Sequence, residues 1–67
     1  MRKMTMKGAR VSAGMTQSEV AKRMGVTVGT ISVWERGLSR LSKERFEEFC
    51  EIVGRKPKDI FFPRLPS

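Results

Sequence analysis

Several residue types that small proteins use for stabilisation or catalysis are rare or missing in this sequence. Of its 67 residues, one is cysteine and none is histidine or tyrosine. A single thiol excludes an internal disulfide, and the usual zinc-ligand spacings are absent, so we expect no metal and no cofactor. Without histidine or tyrosine, and with no clustered acids beyond one helix face, no acid–base pair or triad can be assembled. The sequence therefore predicts that the protein is not an enzyme.

Long hydrophobic runs are also missing. No stretch approaches the roughly 20 apolar residues that a membrane span needs. The N-terminus is charged, but the apolar region of a signal peptide does not follow it. With one unpaired cysteine, Cys50, these features predict a cytoplasmic protein.

Charge of one sign dominates what is present. Fourteen lysines and arginines face seven aspartates and glutamates, a net charge of +7. Residues 1–18 contain no acid, whereas residues 43–51 hold four glutamates against two bases, a local net of −2. A basic molecule with one acidic region suits a polyanion bound on one side, although small soluble domains are often basic for no such reason.

Capping and stop signals divide the chain into five short helices. The first four begin at a Ser or Thr and end at a glycine, and these pairs are Thr5 and Gly14, Thr16 and Gly25, Thr27 and Gly37, and Ser42 and Gly54. Apolar residues recur at helical spacing within them: Met6, Ala9 and Ala13; Val20, Ala21 and Met24; Ile31 and Trp34; Phe46, Phe49, Cys50 and Val53. Pro57 suits the start of a fifth helix with Ile60, Phe61 and Phe62 as its apolar content. No sustained alternation predicts a strand, so the fold class is all-α.

The second and third helices are separated by Gly25, Val26 and Thr27 alone. So short a turn, with a glycine stop and a threonine cap, is typical of two helices that cross at a steep angle. If Ile31 and Trp34 anchor the third helix, its outward residues are Val28, Gly29, Thr30, Ser32, Val33 and Arg36. A face that is small and uncharged until Arg36, with basic residues on either side, fits a major groove about 12 Å wide.

The run from Thr16 to Gly37, TQSEVAKRMGVTVGTISVWERG, resembles the Cro/C1-type helix-turn-helix family, also called the XRE family, of phage and bacterial repressors. Matching positions extend from about Met6 to Phe62. The resemblance implies a compact five-helix, lambda-repressor-like domain over 6–62, between a basic arm (1–5) and a short tail (63–67). It implies a transcriptional regulator, usually a repressor, that binds double-stranded DNA as a homodimer on a palindromic operator in a bacterial or phage-infected cytoplasm.

The resemblance also assigns roles to individual residues. Phosphate contacts are implied for Thr16, Gln17, Thr27, Arg36 and Arg40, and base reading for Val28, Gly29, Thr30 and Val33. We expect the hydroxyl of Ser32, on the same outward face, to take part in base reading as well. Valines can contact only thymine methyls, and Gly29 either permits close approach to DNA or forfeits a contact. We expect modest direct readout, with much of the affinity from phosphates and part of the specificity from DNA shape. The basic residues Arg2 and Lys3 either reach a minor groove or form a solvated tail.

Two further predictions concern contacts within and between chains. Arg10 and Glu35 lie on apolar helix faces, where a charge is costly unless paired, and the family has an inward ion pair there. The alternative is that Arg10 extends to solvent. Three large apolar residues near the end, Phe61, Phe62 and Leu65, form a dimer interface or else cover the monomer core.

Two alternatives to a stand-alone repressor remain open at this point. The chain could be an antitoxin or another protein-binding module that uses the same motif with an added partner surface. It could also be the N-terminal domain of a longer repressor, since the polar, proline-containing end 64–67 resembles the start of a linker.

Overall fold

The computed structural model describes residues 4–38 and 41–61. Within them the elements are β1 (Met4–Thr5), α1 (Met6–Ser12), α2 (Gln17–Met24), α3 (Val28–Glu35), α4 (Lys43–Val53), a 3₁₀ turn (Pro57–Asp59) and β2 (Ile60–Phe61). No helix of the described ranges is long and apolar enough to cross a membrane.

Each of the four α-helices begins where the sequence predicts. The four capping residues, Thr5, Thr16, Thr27 and Ser42, each accept a hydrogen bond from the backbone amide three residues on. Gly25 and Gly54 follow α2 and α4 in the left-handed conformation, at φ 69° and 73°, which a residue with a Cβ adopts only with strain. Local signals therefore set the helix bounds.

The helices enclose one core. Phe46, Phe49, Cys50 and Val53 of α4 are buried, as their spacing predicts, and they pack with Met6, Ala9, Val20, Ala21, Met24, Ile31 and Trp34. The prediction is wrong for Ala13, which follows the last residue of α1 and is exposed. Leu41, which the helical spacing does not identify, is fully buried immediately before α4.

The predicted fifth helix is also wrong. Residues Pro57–Asp59 form a single 3₁₀ turn, and Ile60 then adopts an extended conformation at φ −121° and ψ 130°. A segment between Pro57 and Pro63 is too short to be a stable helix. Extended backbone places neighbouring side chains on opposite sides, so Ile60 is buried in the core and Phe61 is exposed. The described residues thus form four α-helices and one small strand pair.

That strand pair joins the two ends of the described chain. Met4 lies opposite Ile60, and Thr5 opposite Phe61, in a parallel arrangement. The proposed arm, residues 1–5, is therefore divided: Met4 and Thr5 pair with β2, and residues 1–3 lie outside the described residues.

Candidate nucleic-acid interface

The helix-turn-helix consists of α2, the turn Gly25–Thr27 and α3. Its turn is closed by a hydrogen bond of 3.0 Å from the Val26 amide to the carbonyl of Ala21. The buried Ala21 leaves room for α3, while Val26 packs against the core from the turn. The turn between α2 and α3 is thus held by a backbone hydrogen bond, with Ala21 buried and Val26 packed against the core.

Arg10 and Glu35 meet behind α3. Arg10 Nε donates to Glu35 Oε2 at 2.6 Å, and Arg10 Nη2 lies 3.3 Å from Glu35 Oε1. Both side chains are nearly enclosed, 10% and 4% exposed. Two donors on two acceptors fix the guanidinium and carboxylate planes relative to each other, so the pair sets the position of α3 against α1.

Two more groups complete this arrangement. Arg10 Nη1 donates to the carbonyl of Met15 at 2.8 Å, in the turn between α1 and α2. Gln17 Nε2 donates to Glu35 Oε1 at 3.1 Å. The set Arg10, Met15, Gln17 and Glu35, called here the internal network, thus ties α1, the following turn and α2 to α3. The sequence predicted the pairing of Arg10 with Glu35 but not the hydrogen bond from Gln17 to Glu35. The one signal for that bond was the position of Gln17 on the first turn of α2.

The outer face of α3, defined as Val28, Gly29, Thr30, Ser32, Val33 and Arg36, differs in character. Val28, Gly29 and Arg36 are exposed, whereas Thr30, Ser32 and Val33 are half-buried. Ile31 and Trp34 are buried on the opposite side, as predicted. Arg36, the residue that caps the C-terminal end of α3, carries the one charge of this face.

The hydroxyl groups of Thr27 and Thr30 form a pair at the start of α3. Thr27 Oγ1 accepts from the Thr30 amide at 3.1 Å, and the two Oγ1 atoms lie 2.9 Å apart. One hydroxyl must donate to the other, which leaves the pair a single outward O–H donor. The two threonines therefore offer a ligand one hydroxyl donor instead of two.

The residues predicted to bind phosphates lie at two helix starts and one helix end. Thr16 and Glu19 form a reciprocal capping box, with bonds of 3.0 and 3.1 Å, and the backbone N–H of Thr16 lowers the pKa of Glu19 below its usual 4.5. Gln17 gives one of its two amide N–H donors to Glu35, and the other remains for a ligand. The remaining predicted contact, Arg40, lies outside the described residues.

A partly apolar patch lies at the opposite end of α3 from Val28. Phe61 is 54% exposed and lines a cavity of about 200 Å³ with Thr5, Met6, Trp34, Glu35, Arg36 and Gly37. Phe62 and Leu65, the other predicted dimer residues, lie outside the described residues.

The scaffold behind the motif carries one contact that sequence reasoning missed. Arg45 Nη1 donates to the carbonyl of Met24 at 2.9 Å and to Glu48 at 3.0 Å. Arg45, on α4, thereby provides a hydrogen-bond donor for a carbonyl at the C-terminal end of α2. Three other glutamates of α4, Glu44, Glu47 and Glu51, are exposed and form an acidic surface.

The chain matches the helix-turn-helix family of the Cro/C1 type over residues 6–60. That range includes all four α-helices and the first residue of β2. Comparisons with curated proteins and with solved structures gave no significant match.

Proposed function

We propose that this chain binds a palindromic operator as a homodimer and represses transcription in a bacterial cytoplasm. The chain belongs to the Cro/C1-type helix-turn-helix family and is therefore a DNA-binding regulator. The outer face of α3 enters the major groove. Thr30, Ser32 and Val33 contact bases with Val28 and Gly29, while Thr16, Gln17, Thr27, Arg36 and Arg40 hold phosphates.

The internal network is the observation that carries this proposal. It positions α3 through Arg10, Gln17 and Glu35, none of which belongs to the outer face, so the residues of that face are not needed to hold the helix in place. The net charge of +7 supplies the attraction to a polyanion, and the glutamates of α4 place negative charge on another surface. Together they favour one orientation of the molecule on the duplex.

The exposed Phe61 supports the dimer. A large aromatic side chain beside a cavity is typical of a protein contact surface, and small domains gain stability by association. In a symmetric dimer the two recognition helices address half-sites about one helical turn, roughly 34 Å, apart. The same surface would serve a different protein partner, such as the toxin of a toxin–antitoxin pair.

Selection of bound duplexes from a random DNA pool, followed by gel filtration with and without the selected DNA, tests both parts. We expect an enriched palindrome and a complex of two chains per duplex. If no sequence is enriched, the regulator is not sequence-specific; if one chain binds per duplex, the dimer is wrong.

A matched pair of arginine variants tests the surface. Arg36→Ala should weaken binding to all duplexes and reduce the salt slope by about 1, because a phosphate contact releases a counterion. The exposed Arg55, at the far end of α4, has no assigned DNA contact, and Arg55→Ala should leave the slope nearly unchanged. Equal slopes for the two variants would overturn the proposed orientation.

A further inference from the structure

Val28 is an apolar side chain that the fold leaves in solvent. It is the first residue of α3 and is 44% exposed, although valine is a residue that proteins usually bury. The other valine of the outer face, Val33, is half-buried. The structure therefore distinguishes two valines that the sequence treats alike.

The residues next to Val28 in the sequence have short side chains or none. Gly29 follows it without a side chain, although a Cβ there would meet Thr27 Oγ1 at 3.8 Å, an ordinary contact. The hydroxyls of Thr27 and Thr30 are bonded to each other. The fold therefore does not require the glycine, and no long polar side chain of the described residues 27–30 reaches past Val28.

This arrangement lies at the N-terminal end of α3, the end of a recognition helix that contacts base edges. Of the groups that base pairs expose in the major groove, the thymine methyl is apolar, and the others are hydrogen-bond donors or acceptors. An isopropyl group placed on a donor or acceptor would displace water without replacing its hydrogen bond. Placed on a methyl, it buries apolar surface on both sides.

We propose that Val28 is a specificity-determining residue that selects thymine by contact with its 5-methyl group. This inference rests on the proposed function, because it assumes that the outer face of α3 meets the major groove. It assigns to Val28 a chemical target that is present on thymine and absent from uracil.

The test uses the duplex recovered from the random pool and the same duplex with deoxyuridine in place of every thymidine. The unmodified protein should bind the deoxyuridine duplex about fourfold more weakly for each methyl that Val28 buries. In Val28→Ala the loss of affinity on deoxyuridine substitution should be smaller by about this factor, while the thermal stability remains close to that of the parent because the side chain is 44% exposed.

Two other valines provide controls. Val11, on α1, is 57% exposed and belongs to no proposed contact, so Val11→Ala should keep the full deoxyuridine effect. Val33→Ala, which changes a proposed base contact that is half-buried, should remove less of the deoxyuridine effect than Val28→Ala. If the parent protein binds its selected duplex but does not distinguish deoxyuridine, or if Val33→Ala and not Val28→Ala removes the distinction, this inference is wrong while the proposed function stands. If no duplex is selected at all, the proposed function itself fails.

Discussion

The two sides of α3 differ in the side chains they carry and in how those side chains contact the rest of the chain. Its inner side carries Glu35, whose side chain is 4% exposed and accepts hydrogen bonds from Arg10 and Gln17. Its outer face carries short side chains, of which one is a glycine and two are valines. The inner side carries a buried carboxylate that is fixed by directed hydrogen bonds, whereas the outer face carries a single charge, on Arg36, and residues that are half-buried or exposed.

The difference shows how position and recognition can be separated. Directed bonds to a buried carboxylate fix the rotation of α3 about its own axis, which apolar packing alone specifies less strictly. Once the rotation is set, the outer residues contribute little to the fold and can change with the DNA they face. The three predictions that follow test this separation, and the first concerns the inner side.

Glu35→Gln should produce the largest effect. The amide keeps the shape of the side chain but leaves the enclosed Arg10 without its counter-charge, which typically costs about 3–5 kcal/mol. A small domain has about 5–15 kcal/mol in total, so much of its stability is lost. Urea unfolding followed by the fluorescence of Trp34, the single tryptophan, measures the change.

Glu44→Gln supplies the control, since Glu44 is exposed on α4 and its replacement should change the unfolding free energy by less than about 0.5 kcal/mol. Equal losses in the two variants would mean that the internal network contributes no more than a surface charge. In that case apolar packing would be sufficient to position α3.

How far the sequence predicts these features depends on how local they are. Helix starts depend on a side chain and an amide three residues away, so Thr5, Thr16, Thr27 and Ser42 could all be identified. The contact between Gln17 and Glu35 spans 18 residues and depends on how α2 crosses α3, which no local pattern encodes. Family resemblance supplied the long-range pairing that periodicity alone could not fix.

The chain end shows the opposite failure. Pro57 and the apolar residues after it are consistent with a helix start, but pairing with Met4 and Thr5, more than fifty residues earlier, makes the backbone extended. The burial of Ile60 and the exposure of Phe61 follow from that pairing. A strand of two residues is too short to show alternation in the sequence, so the competing helical interpretation could not be rejected.

Gly29→Ala should have a smaller effect than Glu35→Gln. It should increase the stability of the fold and decrease the affinity for DNA. Alanine is favoured over glycine within a helix by roughly 0.5–1 kcal/mol, and the added Cβ meets open space apart from Thr27 Oγ1 at 3.8 Å. Thermal unfolding should therefore show a higher Tm. Affinity for the selected duplex should fall, because the methyl group occupies space between α3 and DNA.

Gly8 is the matched control, as the other glycine within an α-helix of the described residues. A Cβ there would lie 3.1 Å from Thr5 Oγ1, the hydroxyl that caps α1, so Gly8→Ala should gain less stability than Gly29→Ala. Its affinity for DNA should stay unchanged. If Gly29→Ala binds as tightly as the parent, the outer face does not approach DNA at this residue.

The smallest effect concerns the capping box at the start of α2, next to Gln17. Hydrogen bonds from Thr16 lower the pKa of Glu19 below 4.5, so the unfolded chain takes up a proton before the folded chain does as the pH falls. The stability that the carboxylate contributes is present above about pH 4.5 and is lost as the pH falls through its folded pKa.

Glu19→Gln keeps an acceptor for the Thr16 amide but has no such titration. The parent should therefore be slightly more stable than the variant at pH 7, and this difference in Tm should vanish at low pH. A difference that stays constant with pH would show that the capping box stabilises α2 through its geometry alone and not through the charge of Glu19, in contrast to the charged internal network beside it.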